Sequence, residues 1–325
     1  MNRRSSIHLL SMASLGLALP LKRAFSAFNI PDMTLQNSPF YHFTVGTFKA
    51  TIIADGQALF PAYPLYAVNA SKEVVESALY QHFLPTDNYL LQCNCLYLEN
   101  SQERILIDTG AGNTLGDGFG NLPQNLKKLG ISKAQITAIL LTHCHLDHIG
   151  GLMVNGQKAF PNATIYLSEQ EWKFWSAQEI DLSSMPIEAS FRKNFKDTAN
   201  KNLQPLKKQI QTFKFGEEIL SGIQTVKAIG HSPGHTCFLI GRGNDLLMHT
   251  GDIFHHPAFD LAHPNWTTAF DQDAQQAYKT RIKLLDMVAT ERIRVMSYHT
   301  PFPALGHLKK KENFYKWVAA PWRIE

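Results

Sequence analysis

Thr142-His143-Cys144-His145-Leu146-Asp147-His148-Ile149-Gly150-Gly151 places three imidazoles and a carboxylate within six residues. Imidazole nitrogen and carboxylate oxygen are the donors that divalent first-row metals accept, zinc foremost. The apolar run Ile136–Leu141 before them reads as a strand, and the Gly-Gly pair after them as a turn. His143 and His145, two apart in extended chain, face the same way and can share one metal. Asp147 and His148 follow the turn and can reach a second. The apolar flanks argue against a solvated histidine patch. Cys144, between two candidate ligands, should point away from them.

Further donors recur at later strand ends. His231-Ser232-Pro233-Gly234-His235 stands before the strand-like Thr236–Ile240, and Gly251-Asp252 follows the apolar Leu246-Leu247-Met248. His299 follows Arg292–Met296. A rigid sheet can aim side chains carried on such loops. Taken singly, His235, Asp252 or His299 would more often be a structural residue; joined to the first motif they complete a set of seven. His231 and His307 read as loop hydrogen-bonders, and His255 and His256 as candidates for the rim.

The elements that must position these residues alternate between strand pairs and strand–helix units. Strand-like runs are Tyr41–Val45, Phe48–Ala54, Asn88–Leu98, Arg104–Ile107, Ile136–Leu141 and Thr164–Leu167, then Ile223–Ala228, Thr236–Ile240, Asp245–Met248 and Arg292–Met296. Helical runs are Leu122–Leu129, Ser168–Trp175 and Asp273–Thr290. Ser168 with Glu171 three residues on suggests a capping box, and Asp271 or Asp273 can cap the last helix. Asp181–Gln211, rich in Lys and Asn, reads as a helical insertion or a mobile flap. The pattern predicts layered α/β with two sheets.

Composition sets the outer bounds. The chain has 325 residues, 44% hydrophobic and 18% charged, which excludes a disordered or fibrous chain. Residues 1–27 hold Arg3, Arg4, Lys22 and Arg23 and no acid, so the rest balances 27 basic against 27 acidic side chains. That balance argues against a nucleic-acid partner. Residues 1–27 have the order of an export signal: paired arginines, an apolar stretch and the small-residue run Ala24-Phe25-Ser26-Ala27. The arginine pair leans toward the twin-arginine route. The apolar stretch is too short for a stable membrane anchor. The expectation is a periplasmic protein with one domain over 28–325. Its four cysteines, Cys93, Cys95, Cys144 and Cys237, are too few for a disulfide scaffold and read as buried free thiols.

The run His143-x-His145-x-Asp147-His148, then Gly234-His235-Thr236, Gly251-Asp252 and His299, resembles the metallo-β-lactamase fold superfamily. Leu106-Ile107-Asp108-Thr109-Gly110 extends the likeness. The resemblance implies a four-layer αβ/βα sandwich with the metal site on one edge. It assigns His143, His145 and His235 to one metal, Asp147, His148 and His299 to a second, and Asp252 as the bridge, with Asp108 orienting a ligand. Asp252 and Asp147 would be the catalytic carboxylates. Two divalent ions, zinc by donor type, would share a hydroxide that attacks a carbonyl or phosphoryl centre without a covalent intermediate.

Gly150-Gly151-Leu152-Met153, Ala159–Ala163, Glu169-Gln170-Glu171, Phe174-Trp175 and Phe302-Pro303-x-x-Gly306-His307 resemble the branch holding methyl parathion hydrolase and its exported relatives. That branch implies an ester, lactone or phosphotriester as the small-molecule substrate, and a homodimer. The alternatives are a β-lactamase or acyl-homoserine-lactone lactonase of the same fold, and behind them a thioesterase. No Lys or Arg follows Asp252 until Lys279, which argues against a β-lactam carboxylate. A binding protein without catalysis would be expected to have lost ligands, and all seven are present. Candidate pocket residues are Leu65, Tyr66, Phe119, Trp175, Phe191 and Phe254, with Leu115, Phe195 and Phe270.

Overall fold

Period-two alternation along the strands sorts the apolar side chains into three separate cores. The computed structural model describes residues 37–321, so the expected export segment lies outside the described residues. From Ser38 onward the chain forms one unit.

The first sheet contains β1 (Phe40–Val45), β2 (Phe48–Pro61), β3 (Asn88–Glu99), β4 (Arg104–Ile107) and β5 (Ala138–Leu140). After a two-stranded hairpin, β6 (Met153–Val154) and β7 (Gln157–Lys158), it is completed by β8 (Thr164–Ser168) and β9 (Ile210–Phe213). Its order is β1-β2-β3-β4-β5-β8-β9, antiparallel to β4 and parallel from there on. The second sheet runs in chain order through β10 (Glu218–Leu220), β11 (Ile223–Lys227), β12 (Thr236–Arg242), β13 (Asp245–His249), β14 (Arg294–Met296), β15 (Leu305–Lys311) and β16 (Phe314–Ala319). Only β13 and β14 pair in parallel, because α6 (Ala274–Thr290) crosses between them.

Ile52, Leu96, Leu98, Ile105 and Ile107 of the first sheet meet Phe238, Ile240, Leu247 and Met296 of the second in the central core. The alternate residues Ile53, Cys95, Tyr97 and Leu106 face outward. There they pack with residues of α1 (Lys72–Gln81), α2 (Leu122–Lys128), α4 (Glu169–Trp175) and α5 (Ala189–Leu203). On the other side Cys237, Met248 and Val295 pack with Leu284, Leu285 and Val288 of α6. Helices, sheet, sheet and helices therefore make the four layers that the resemblance implies. A one-residue slip in any strand would exchange two of these cores, which is why register is strongly fixed.

The expected strands are present, with shifted ends. β2 runs on to Pro61, beyond the expected Ala54, through a bulge between Ala54 and Gly56. Gly56 is required there, since a Cβ would sit 2.2 Å from the Gly118 carbonyl oxygen. Within 181–211 the chain forms α5, so the insertion reading is the one realised. Among the described residues no helix is long and apolar enough to cross a membrane. All four cysteines are free and buried.

Candidate metal centre

The segment after β5 stays extended to His145 and then turns into the short helix α3 (Leu146–Ile149). Asp108, immediately after β4, holds that segment in place. Its carboxylate accepts the Thr142 backbone N–H (2.9 Å) and hydroxyl (2.7 Å), and meets His148 Nδ1 at 2.8 Å. Asp108 thus has the orienting position expected of it. A second buried carboxylate, Glu171 on α4, accepts the N–H groups of Cys144 (2.9 Å) and Gly234 (2.6 Å) and the Ser232 hydroxyl (2.5 Å). Glu171 therefore ties the first metal-ligand loop to the loop before β12. The expected capping box is only half made: Ser168 Oγ accepts the Glu171 N–H, but the Glu171 side chain is spent on these loops.

Asp252 lies at the centre of five imidazoles. Its carboxylate oxygens are 3.1 Å from His299 Nε2, 3.3 Å from His148, 3.4 Å from His231, 3.6 Å from His255 and 3.9 Å from His143. Asp147 Oδ2 is 3.4 Å from His299 Nε2 and 3.8 Å from His148 Nε2. His143, His145 and His231 form one close group, and His143, His148 and Asp252 a second. The far nitrogens are tethered. His143 Nδ1 meets Thr142 Oγ1, His231 Nδ1 meets Asp271, and His299 Nδ1 meets the Gln92 carbonyl. Such tethers direct the Nε2 lone pairs inward.

This set fits divalent metal. Nε2 of His143, His145, His148 and His231 and Oδ1 of Asp252 are buried without a hydrogen-bond partner. Orphaned buried donors and acceptors are costly, and one convergent group of them needs a common occupant. All are N or O atoms that zinc accepts. The electrostatics agree. Burial first, then neighbouring imidazoles, pushes His143 and His145 well below the usual histidine range, leaving neutral ligands. Burial opposes charge on Asp252, but His299 and His148 outweigh it and hold the carboxyl well below its ordinary range.

Six of the seven expected ligands meet in this cluster; His235 requires a correction. Its Nδ1 meets the Ala228 carbonyl at 3.0 Å, and its Nε2 accepts the Asp252 N–H at 3.1 Å. Burial lowers its pKa to about 3. Its ring instead props the Asp252 backbone. Gly251, at φ +52°, closes on it so tightly that a Cβ would lie 2.5 Å from Nε2. His231, expected to be a loop hydrogen-bonder, takes the place beside His143 and His145. A tethering carboxylate was the distinguishing signal, and Asp271 lies 40 residues away. His307 lies on β15, outside the cluster.

An open cleft leads to the cluster. Its floor includes His145, Asp147, His231, Asp252, His255 and His299, and its apolar wall includes Phe60, Tyr66, Leu115, Phe191, Phe195 and Phe270. Tyr66 and Phe191 thus stand where expected, with Leu115, Phe195 and Phe270. Leu65, Phe119, Trp175 and Phe254 do not line it. Trp175 is buried beside His145, ring centroids 5.8 Å apart, and donates to Ser232 Oγ. Phe254 belongs to the core under α6, against Trp317. Phe119 stands behind Phe60, and Leu65 packs on the outer core, its carbonyl taking the Ala269 N–H. Cys144 is buried in that core and takes no part in the cluster.

The sequence pattern of the Metallo-beta-lactamase superfamily matches residues 88–293, more than half of the chain. The uncharacterized protein YobT of Bacillus subtilis is 30% identical over 169 residues, 51% of this chain and 63% of its own length. A Streptococcus pyogenes protein described as a "Probable metallo-hydrolase" is 27% identical over 71% of this chain and 88% of its own. Among solved structures, AidC, a dizinc quorum-quenching lactonase in complex with a product, superposes with a TM-score of 0.81 at 25% identity. That alignment covers 89% of this chain and 100% of AidC. The four layers, the clustered donors and these matches agree: the chain belongs to the metallo-beta-lactamase superfamily and carries the site of a metallo-hydrolase.

Proposed function

We propose that this chain is a dinuclear metal-dependent hydrolase that opens a neutral ester bond, foremost a lactone bearing an apolar tail. The observation that carries the reading is the set of unpartnered buried Nε2 atoms around Asp252 beneath an aromatic wall. His143, His145 and His231 would hold one ion and Asp147, His148 and His299 the other, with Asp252 between them. Divalent cations, zinc by donor set, supply Lewis acidity at such a site and bring the pKa of water toward neutrality. Asp147, 14% exposed, is the most open of these carboxylates and is placed to carry a proton between site and solvent. The aromatic side chains remove water from an acyl chain and hold its reactive end at the floor.

Among the described residues no Lys or Arg lines the cavity. A β-lactam carboxylate would find no cation there, whereas a neutral lactone or phosphotriester needs none. AidC's description as a lactonase supports the first substrate; the resemblance to the methyl parathion hydrolase branch supports the second. Export through the signal-like residues 1–27 is part of the same proposal.

The test is hydrolysis by purified, metal-quantified protein of short- and long-tailed acyl-homoserine lactones, an aryl ester, a phosphotriester and a β-lactam, each with and without chelator. Chelator-sensitive lactone turnover that improves with tail length is expected. Turnover confined to the β-lactam, or unchanged by complete metal removal, would overturn the proposal.

A further inference from the structure

Arg281 lies on α6 and is 1% exposed. Its Nε donates to the Ile253 carbonyl at 2.8 Å, and one terminal nitrogen donates to the carbonyls of Pro264 (3.0 Å) and Trp266 (2.5 Å). These contacts pin the loop between β13 and α6, which carries Asp252. The other terminal nitrogen faces two buried carboxylates, Asp260 at 3.4 Å and Asp271 at 4.0 Å. Asp271 Oδ1 is hydrogen-bonded to His231 Nδ1 at 2.9 Å, whereas Asp260 Oδ2 accepts the His255 backbone N–H at 2.6 Å and faces that ring's Nδ1 at 3.5 Å as a charge contact. Both imidazoles then present Nε2 to Asp252, at 3.4 and 3.6 Å. One guanidinium thus stands behind two parallel chains, carboxylate then imidazole, that end on the same carboxylate.

Each link has a physical reason. Two buried carboxylates without a cation would be costly, and a planar fork with five donors can satisfy carbonyls and carboxylates together. The Asp271 carboxylate on Nδ1 fixes the His231 plane and aims its Nε2 at the cluster, and Asp260 holds the His255 backbone and attracts its ring. We propose that Arg281 is a positioning residue for the metal centre, setting the orientation of His231 and His255 toward Asp252 through Asp271 and Asp260. The inference rests on the two-metal reading of the site. An Arg281 that merely pinned the loop would, when replaced, weaken the fold and leave metal binding by the folded protein unchanged.

The test is cobalt titration of the metal-stripped full chain, reading ions bound, the two dissociation constants and the visible cobalt absorption. Wild type is compared with Arg281→Lys, Asp271→Asn and Leu285→Ala, the last an apolar truncation in the core under the same helix. Arg281→Lys and Asp271→Asn are expected to weaken one cobalt step about 10- to 100-fold and to shift its absorption. The other step should keep its constant, and Leu285→Ala should titrate as wild type. Should Arg281→Lys fail to fold, Asp271→Asn, which keeps the side chain's size, decides. Wild-type titration by the folded variants, or an equal loss in Leu285→Ala, would overturn the inference. A wild type that binds no cobalt would overturn the two-metal reading itself, and this inference with it.

Discussion

His231 and His235 stand four apart on one loop, yet only His231 has a free Nε2 facing the cluster. Removing His231 takes a donor from the group it forms with His143 and His145. His231→Gln should therefore bind one metal per chain instead of two and lose about 10²-fold or more in kcat/KM. His235→Gln should keep both metals but lose about 1–3 kcal/mol of stability, because it leaves buried backbone groups of Asp252 and Ala228 without a partner. Metal analysis and denaturant unfolding of the two variants check this, and the opposite pattern would restore His235 as the ligand. The sequence could not separate the pair, because spacing reports which residues share a loop and not which ring turns inward. His143, His145, Asp147 and His148 were legible because one turn holds all four. Asp271 and Asp260 were not, since only the folded chain brings them to their imidazoles.

Glu171 joins elements that are distant in the chain. Its carboxylate accepts N–H groups on both sides of the site, and burial raises its pKa despite those bonds. Glu171→Gln would turn an amide N–H₂ toward a backbone N–H, leaving a buried donor unpaired. A loss of about 1–3 kcal/mol is expected, read by denaturant unfolding of α4 and the ligand loops together. Unchanged stability would mean that the loops hold themselves. At this scale legibility followed apolar contrast. The strands facing two cores stood out, as did α6 with its single stripe. α5 did not, although Phe191, Phe195, Ala199 and Leu203 recur every four residues, because Lys and Asn fill the positions between them. The outer hairpin β15–β16 was missed for a similar reason: β15 ends in three lysines, and only Leu308 and Tyr315 of the pair reach the core under α6 as buried residues.

Across the whole molecule, nine of the described histidines are buried, so folding is coupled to protons. Burial lowers His235 to about 3 and His249 and His256 to about 4. Each lies below the unfolded value near 6.5, so the unfolded chain binds more protons between about pH 6.5 and 4. Stability must fall as pH falls through that window. His255 behaves oppositely: burial opposes its charge, but Asp252 and Asp260 raise it to about 10, and carboxylates likewise raise His148 and His231. Their stabilisation is complete below about 6.5 and is lost as pH rises through the folded values. The metal-free protein should therefore be most stable near pH 6.5, with its unfolding free energy declining on both sides. Metal on His148 and His231 excludes their protons, so loading should flatten the alkaline limb and move the maximum upward. Unfolding free energies from pH 4 to 9, with and without metal, measure this directly. Metal-free stability that climbs steadily from pH 6.5 to 9 would show that the imidazoles around Asp252 do not hold protons in the folded state, and that the carboxylate's charge is balanced in another way.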